Sequence, residues 1–319
     1  MVEKRFIIAL EEHYADSEVA ATFKGMDATK APKIQQRLDD LVDIRIREMD
    51  AAGIDMQVLS HTAPSVQKLA PDIATPLAIK ANDRLNETVR AYPARFAAFA
   101  ALPTPDPEGA ANELERTVTK YGFKGGMVHG LTNGVFLDDK RFWPIFERAQ
   151  ALDVPLYLHP AIPHPAVIEA YYQDYAKEWP VFLRSAWGFT VETATQSIRL
   201  VLGGVFDKFP RLKIIVGHLG EGLPFFLWRI NHSLSREGKS GKSFREYFCE
   251  HFYITTSGFF STPALVCCAS EIGIDRIMFS VDYPFIDNQM GTRWLDQIPF
   301  CDEDKEKLMN GNVRRLLKM

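Results

Sequence analysis

The sequence predicts an α/β fold, a (β/α)8 TIM barrel in which a helix follows each parallel strand. Short runs rich in Val, Ile, Leu, Phe and Tyr alternate with longer helix-like segments, as expected of βα units around a parallel sheet. Two of the runs, FIIAL and KIIVG, are almost continuously apolar, which is typical of strands buried on both faces. Because one such barrel accommodates a chain of 319 residues, we expect a single domain over residues 1–319.

Eight runs are predicted to be strands, with helices between them. The strands are expected at residues 5–10, 56–60, 96–101, 125–128, 154–159, 212–217, 252–255 and 276–280. Helices are expected at residues 37–52, 73–91, 108–120, 139–152, 191–206 and 223–235. Counting elements leaves a doubly wound open sheet as the alternative. No G-x-G-x-x-G motif follows the first strand, which weakens a dinucleotide-binding sheet of that kind.

Two longer segments interrupt this alternation, residues 13–36 and residues 160–188. Both follow predicted strands, so we expect them to be inserted loops at the carboxyl-terminal face, where barrel enzymes build their sites. The second segment is rich in Tyr and Trp. It fits two interpretations equally: a loop packed on the barrel mouth, or a wall for a flat aromatic substrate.

Charge and composition exclude several classes of partner. The formal net charge is -4 and the Lys and Arg residues are scattered, so no nucleic-acid partner is expected. No apolar run approaches the roughly 20 residues needed to span a bilayer, and the N-terminal stretch lacks the features of a signal peptide. We therefore expect no membrane partner and a cytoplasmic location. The four cysteines form no C-x-x-C pair and are interpreted as reduced thiols.

Polar residues follow several of the predicted strands. Glu11 and His13 come after the first strand, His159 ends the fifth, and Asp282 follows the eighth. The carboxyl ends of barrel strands converge on one axis, so these residues can meet at one point. Extended backbone places Glu11 and His13 on one side and Glu12 on the other. Two imidazoles and two carboxylates without a thiolate predict a site for one divalent ion, Zn2+ or Mn2+.

Further candidates lie near the same strand ends. His218 in GHLGEGLP precedes Glu221 by three residues, which suits a general acid/base held by a carboxylate; a fifth metal ligand or a structural role are the alternatives. Arg229 could grip a substrate carboxylate or form a surface or interface ion pair. His61 and His129 follow the second and fourth strands and are candidates for the pocket wall.

The chain resembles the metal-dependent hydroxybenzoate-type decarboxylases of the amidohydrolase superfamily, such as the γ-resorcylate, 2,3-dihydroxybenzoate and 5-carboxyvanillate decarboxylases. The matching segments run nearly end to end: ALEEH (9–13), LSHTAPSVQ (59–67), RFAAFAALP (95–103), LDVPLYLHP (152–160), GVFDKFPRLKIIVGHLGEGLP (204–224), WRINH (228–232), ITTSG (254–258) and RIMFSVDYPF (276–285). Most of the superfamily carries His-x-His at strand one, whereas this branch carries Glu-x-His, as this chain does at Glu11 and His13.

The resemblance implies nonoxidative decarboxylation of an ortho-hydroxylated aromatic acid to a phenol and carbon dioxide. Asp282 would protonate the ring carbon that bears the carboxylate, and His218 with Glu221 would assist this proton transfer. Arg229 and Phe285, the last residue of RIMFSVDYPF, would contact the substrate. The resemblance implies no organic cofactor, and a homodimer or homotetramer as the assembly.

The chain departs from the family pattern at one notable position. His129 stands in Val-His-Gly, where the resembling decarboxylases commonly have Val-Asn-Gly. Of the residues in the sequence, His129 most supports the alternative function, a metal-dependent hydrolase of a lactone, ester or amide on the same barrel. The fold does not decide between the two functions, because one scaffold hosts many chemistries. A hydratase or another lyase acting on a ring-derived acid, and a non-catalytic binding protein, are the remaining alternatives.

Overall fold

The computed structural model describes residues 5–28, 31–234 and 241–319. Within these residues the strands are β1 (Ile8–Tyr14), β2 (Met56–His61), β3 (Phe96–Ala98), β4 (Ala100–Ala101), β5 (Gly126–His129), β6 (Leu156–His159), β7 (Ile214–Val216), β8 (Phe252–Thr255) and β9 (Ile277–Met278). Hydrogen bonds join them in the order β1-β2-β3 and β4-β5-β6-β7-β8-β9. Every pair is parallel.

β3 and β4 are two halves of one barrel strand. The backbone NH of Phe99, between them, donates to the carbonyl oxygen of Leu59 in β2 at 2.9 Å. Ala100 then pairs with Gly126 in β5. The interrupted strand therefore connects the two sheets, and the strands form the eight-stranded (β/α)8 barrel that the sequence predicts.

Side chains contribute to closing the barrel between its first and last strands. The backbone NH of Glu11 donates to Ser280 Oγ at 2.7 Å, and the NH of His13 donates to the carbonyl oxygen of Tyr283 at 2.6 Å. The buried carboxylate of Glu12 accepts from the NH groups of Val281 at 2.9 Å and Tyr283 at 3.3 Å. We call this junction of β1 with residues 279–283 the seam.

The α-helices follow the strands in the usual order of βα units. Within the described residues they are α1 (Ser17–Ala20), α2 (Pro32–Asp39), α3 (Asp43–Ala52), α4 (Pro71–Ala91), α5 (Pro107–Arg116), α6 (Trp143–Leu152), α7 (Pro165–Val167), α8 (Gly188–Leu202), α9 (Val205–Lys208), α10 (His218–Glu221), α11 (Leu223–Leu234), α12 (Phe244–His251), α13 (Thr262–Ile272), α14 (Asn288–Gln297), α15 (Asp302–Glu306) and α16 (Asn312–Leu317). Short 3-10 turns lie at Gly25–Asp27, Lys140–Phe142 and Ile274–Arg276, and π turns at Thr117–Tyr121, Ile168–Tyr172 and Lys307–Gly311.

Alternate strand residues divide the core into two parts. Tyr157 and Ile215 belong to the cluster that fills the barrel, whereas their neighbours Leu156 and Ile214 pack in the cluster that also holds helix residues. This alternation is the period of two expected of strands. The barrel cluster also includes residues of α16, the last helix.

Several predicted boundaries differ from the observed ones. β1 extends to Tyr14 rather than ending at residue 10, because its polar residues are buried and pair with β2. The helix predicted at residues 37–52 is two helices, α2 and α3, since Asp40 interrupts it and its Oδ1 accepts from the NH groups of Val42 and Ile44. Ser235, the predicted end of the helix at residues 223–235, lies outside the described residues. Among the described residues, none of the helices has the length and apolar character that a membrane span requires.

Candidate metal centre and active site

The structure brings together the four residues predicted to bind a metal. One ligand atom from each of Glu11, His13, His159 and Asp282 lies within 4.8 Å of the others. His13 Nε2 is 3.2 Å from Asp282 Oδ1, and His159 Nε2 is 3.2 Å from Glu11 Oε1. These nitrogen and oxygen atoms face a common point at the carboxyl-terminal end of the barrel.

A bulge in β1 turns the side chains of Glu11 and His13 toward the centre. The register against β2 shifts between Ala9 and Glu12, so one extra residue is inserted there. Ile8, before the shift, and Leu10, within it, fill the barrel interior, and strict alternation would have brought Glu12 inward next. Instead Glu11 and His13 reach the centre, while Glu12 turns away to bind the seam.

Unpaired buried atoms at the centre fit a divalent cation. Glu11 Oε1 and His13 Nε2 are buried and have no hydrogen-bond partner among the described residues, which is costly for a polar group unless another ligand satisfies it. Burial lowers the pKa of His13, but the Asp282 and Glu11 carboxylates outweigh it and raise the pKa to about 9. The centre therefore favours positive charge, and its donor set suits zinc or manganese.

Neighbouring groups orient both imidazoles. His159 Nδ1 lies 2.6 Å from the carbonyl oxygen of Pro160, and His13 Nδ1 lies 3.3 Å from Ser60 Oγ. A carbonyl oxygen only accepts, so His159 carries its proton on Nδ1 and presents the lone pair of Nε2 to the centre.

Glu11 is held by hydroxyl groups that the sequence analysis missed. Its Oε2 accepts hydrogen bonds from Tyr157 OH and from Ser257 Oγ. Burial raises the pKa of Glu11, but the charge of His218 and the neighbouring imidazoles of His13 and His159 bring it well below its usual value. Tyr157 lies two residues before His159, so strand alternation could have indicated that both face the same side.

His218 and Glu221 lie in a strained turn beside the centre. Both have positive φ, 50° and 53°, a backbone conformation that is uncommon outside glycine and concentrates at functional sites. His218 Nδ1 is 2.8 Å from Glu221 Oε1, and its Nε2 is 3.8 Å from Asp282 Oδ2. Burial lowers the pKa of His218, but the Glu221, Glu11 and Asp282 carboxylates raise it well above its ordinary value. The predicted pairing of His218 with Glu221 is present.

A cavity of about 270 Å³ opens from the centre. Its walls are mostly apolar and include Phe285, which the sequence analysis selected, and Phe189 and Ile162, which it did not. Both inserted segments contribute to the walls. Arg184 joins them, because its Nη2 donates to the carbonyl oxygen of Met26 at 2.7 Å.

The tyrosines and tryptophans of residues 160–188 do not line this cavity. The exposed ones are Tyr171, Tyr175, Trp179 and Trp187. From that segment the cavity wall includes residues 160–162, Val181, Arg184 and Ser185. The segment therefore does form part of the cavity wall, but not through its tyrosines and tryptophans, and the aromatic surfaces come from Phe189 and Phe285.

Three predicted substrate contacts do not line the cavity in the described chain. His61 Nε2 accepts from the NH of Asp16 at 3.0 Å and its Nδ1 donates to its neighbour's carbonyl oxygen at 2.8 Å. Burial lowers the pKa of His61 to about 4, so it is a neutral, fully paired core residue. His129 lies behind His159, with their Nδ1 atoms 3.1 Å apart. Arg229 is exposed on α11.

Comparisons with known proteins agree with this geometry. The amidohydrolase family model matches residues 13–319. The γ-resorcylate decarboxylase of Polaromonas sp. is 42% identical over 325 residues, which cover 98% of each chain. A crystal structure of a 2,6-dihydroxybenzoate decarboxylase complexed with 2,6-dihydroxybenzoate has a TM-score of 0.88 at 40% identity, covering 99% of this chain and 100% of that one.

A second solved structure contains a metal ion. It is a dihydroxybenzoic acid decarboxylase from Polaromonas sp. with bound manganese and the inhibitor 2-nitroresorcinol. Its TM-score is 0.90 at 41% identity, covering 98% of this chain and 97% of that one. The chain belongs to the amidohydrolase family and, within it, to the group of metal-dependent hydroxybenzoate decarboxylases.

Proposed function

We propose that this protein is a carboxy-lyase that converts an ortho-hydroxylated aromatic carboxylic acid to the corresponding phenol and carbon dioxide, without redox change. The observation that carries the proposal is the convergence of Glu11, His13, His159 and Asp282 within 4.8 Å at an apolar cavity, in a chain related to decarboxylases of this class. Because one of the similar solved structures is a 2,6-dihydroxybenzoate decarboxylase complexed with 2,6-dihydroxybenzoate, this acid is the first substrate to test.

One divalent ion is proposed at the centre, held by these four residues. Manganese is the first candidate, since a solved relative contains it, and zinc is the alternative. When bound, the ion would supply positive charge that attracts the carboxylate and adjacent phenolic oxygen of a substrate. The reaction needs no organic cofactor.

Apolar side chains are proposed to receive the ring itself. Phe285 and Phe189 offer flat surfaces, and Ile162 adds an aliphatic one. Such walls favour an uncharged aromatic ring over water. The polar end of the substrate would then lie at the centre, and the substituents of the ring would decide the fit against the loops.

Asp282 is the proposed proton donor to the ring carbon that bears the carboxylate. Its side chain is 17% exposed and lines the cavity, so it reaches the substrate space while remaining one of the four proposed ligands. Protonation of this carbon breaks aromaticity, and cleavage of the carbon–carboxylate bond releases carbon dioxide and restores it. The reaction consumes one proton in total, which replaces the carboxylate on the ring.

His218 is proposed to supply Asp282 with a new proton in place of the one given to the ring. Its Nε2 faces Asp282 Oδ2 at 3.8 Å, and its Nδ1 is bound to Glu221 at 2.8 Å. Glu221 stabilises the charged imidazolium, so His218 can hold a proton on Nε2 until Asp282 needs it. We do not extend the proposal to a hydrolase, because His129, the residue that favoured that alternative, does not line the cavity.

The test is a parallel assay on purified protein of known metal content. A panel of hydroxybenzoates and a panel of simple esters, lactones and amides are incubated with it and followed by ultraviolet absorbance and carbon dioxide release. We expect an ortho-hydroxybenzoate to give its phenol, and we expect metal-stripped protein, Asp282→Asn and His218→Asn to be inactive. Hydrolysis of a panel member without carbon dioxide release would overturn the proposal.

Assembly and location stay predictions. A homodimer or homotetramer is proposed by analogy with the family, and sedimentation analysis of the purified protein would test it. A cytoplasmic location is proposed likewise, and fractionation of the source cells would test that.

A further inference from the structure

His129 occupies an unexpected place beside a candidate metal ligand. It ends β5, is only 1% exposed, and pairs in register with His159 at the end of β6. Their ring centroids are 4.9 Å apart in an edge-to-face arrangement, and their Nδ1 atoms are 3.1 Å apart. His129 therefore contacts the Nδ1 side of His159, while His159 Nε2 faces Glu11.

The positions of the protons follow from these contacts. His159 Nδ1 carries a proton, because the carbonyl oxygen of Pro160 at 2.6 Å can only accept. Two N–H groups cannot face each other favourably at 3.1 Å, so His129 Nδ1 must present its lone pair. His129 is thus a neutral imidazole that shares the Nδ1 proton of His159 with Pro160.

Gln67 fixes His129 in this position. Its Oε1 accepts from the backbone NH of His129 at 2.6 Å, and its Nε2 donates to the backbone carbonyl oxygen of His129 at 3.1 Å. The same Nε2 lies 3.3 Å from Thr132 Oγ1. Gln67 and Thr132 are themselves buried, so the ring of His129 stands on a rigid support.

We infer that His129 is a positioning residue for the proposed metal centre: its Nδ1 lone pair holds His159 in the tautomer and orientation that aim Nε2 at the ion. The inference rests on the metal site proposed above. Groups that accept the second N–H of a metal-bound histidine fix its ring, and their loss typically weakens metal binding about 10- to 100-fold. His129 fills this role from a neighbouring strand.

The experiment compares Mn2+ binding by wild type, His129→Leu, which removes the acceptor, and His129→Asn, whose amide oxygen can still accept. Free Mn2+ is measured by its electron paramagnetic resonance signal during titration of metal-free protein. Melting of the metal-free proteins is measured in parallel. His251→Leu is the matched control, because His251 is also buried, bonds a backbone carbonyl through Nδ1 and leaves Nε2 unpaired among the described residues.

We expect His129→Leu to bind Mn2+ about 10- to 100-fold more weakly, His129→Asn to stay within about threefold of wild type, and His251→Leu to keep wild-type affinity although it melts earlier. If His129→Leu does not fold, His129→Ala takes its place. The inference is overturned if the apolar variant keeps wild-type affinity, or if the Asn variant loses as much as the apolar one. Failure of the wild type to bind Mn2+ would instead overturn the proposed metal site.

Discussion

Replacing Gly217 by alanine tests how tightly the position of Glu11 is determined. Gly217 follows β7, and a Cβ placed on it would lie 2.6 Å from Glu11 Oε2. An ordinary contact begins at 3.4 Å, so the carboxylate would have to move by about 0.8 Å. The backbone of Gly217, with φ -72° and ψ -173°, is open to alanine, so the clash rather than backbone strain sets the cost.

Overpacking of this kind costs about 1–3 kcal/mol. If Glu11 moves to relieve the clash, this free-energy cost appears as weaker binding of the ion. About 1.4 kcal/mol corresponds to a tenfold change in affinity. We therefore expect Gly217→Ala to weaken Mn2+ binding by about 5- to 100-fold in the same titration. Gly241→Ala is the control, because a Cβ there meets nothing within 4 Å. Unchanged affinity in Gly217→Ala would refute the reasoning that the carboxylate has no room to move.

Three further variants test other parts of the fold. Glu12→Leu leaves two backbone NH groups of the seam without an acceptor and should lower the free energy of unfolding by about 2–4 kcal/mol in urea; a loss below about 1 kcal/mol would contradict this account of the seam. Burial raises the pKa of Asp16, but hydrogen bonds from Arg84 at 2.6 and 2.8 Å lower it below its usual value. The stability that this pair contributes is therefore present above about pH 4 and lost as the pH falls through the lowered pKa, so the melting difference between Arg84→Gln and wild type should shrink in acid rather than stay constant. Burial raises the pKa of Glu192 to about 7, so stability falls as the pH rises from about 4.5 to 7. Glu192→Gln should melt above wild type at pH 8 and no higher than wild type at pH 4, and an equal difference at both would contradict the assignment.

Convergence of strand ends could be predicted from the sequence because it follows from topology. Once the apolar runs are ordered around a barrel, His159 and Asp282 must approach Glu11, whatever the loops between them do. The identity of the pair in β1 was also predictable, since residues two apart share a face. Which face of β1 points into the barrel could not be predicted, because it depends on the bulge before Glu12. An inserted residue leaves no mark in the periodicity of the sequence.

The residues that line the cavity were harder to predict from the sequence, for a related reason. A residue placed just beyond a strand can point into the cavity or behind it, and its hydrogen-bond partners decide between the two. His61 turns to Asp16, and His129 turns to His159. These partners lie far away in sequence and carry no local signal. The same holds for Arg184, whose contact with Met26 joins two loops of irregular composition.

The position of the metal centre across the seam links ion binding to the stability of the barrel. Glu11 and His13 lie on one side of it and Asp282 on the other, near opposite ends of the chain. An ion bound between them would act as a cross-link that closes residues 11–282 into a loop. Its binding energy would then add to folding, by about 2.7 kcal/mol at a free concentration one hundred times the dissociation constant. Removing the ion would destabilise the barrel first at the seam. The cation needed for chemistry would therefore also stabilise the closed barrel.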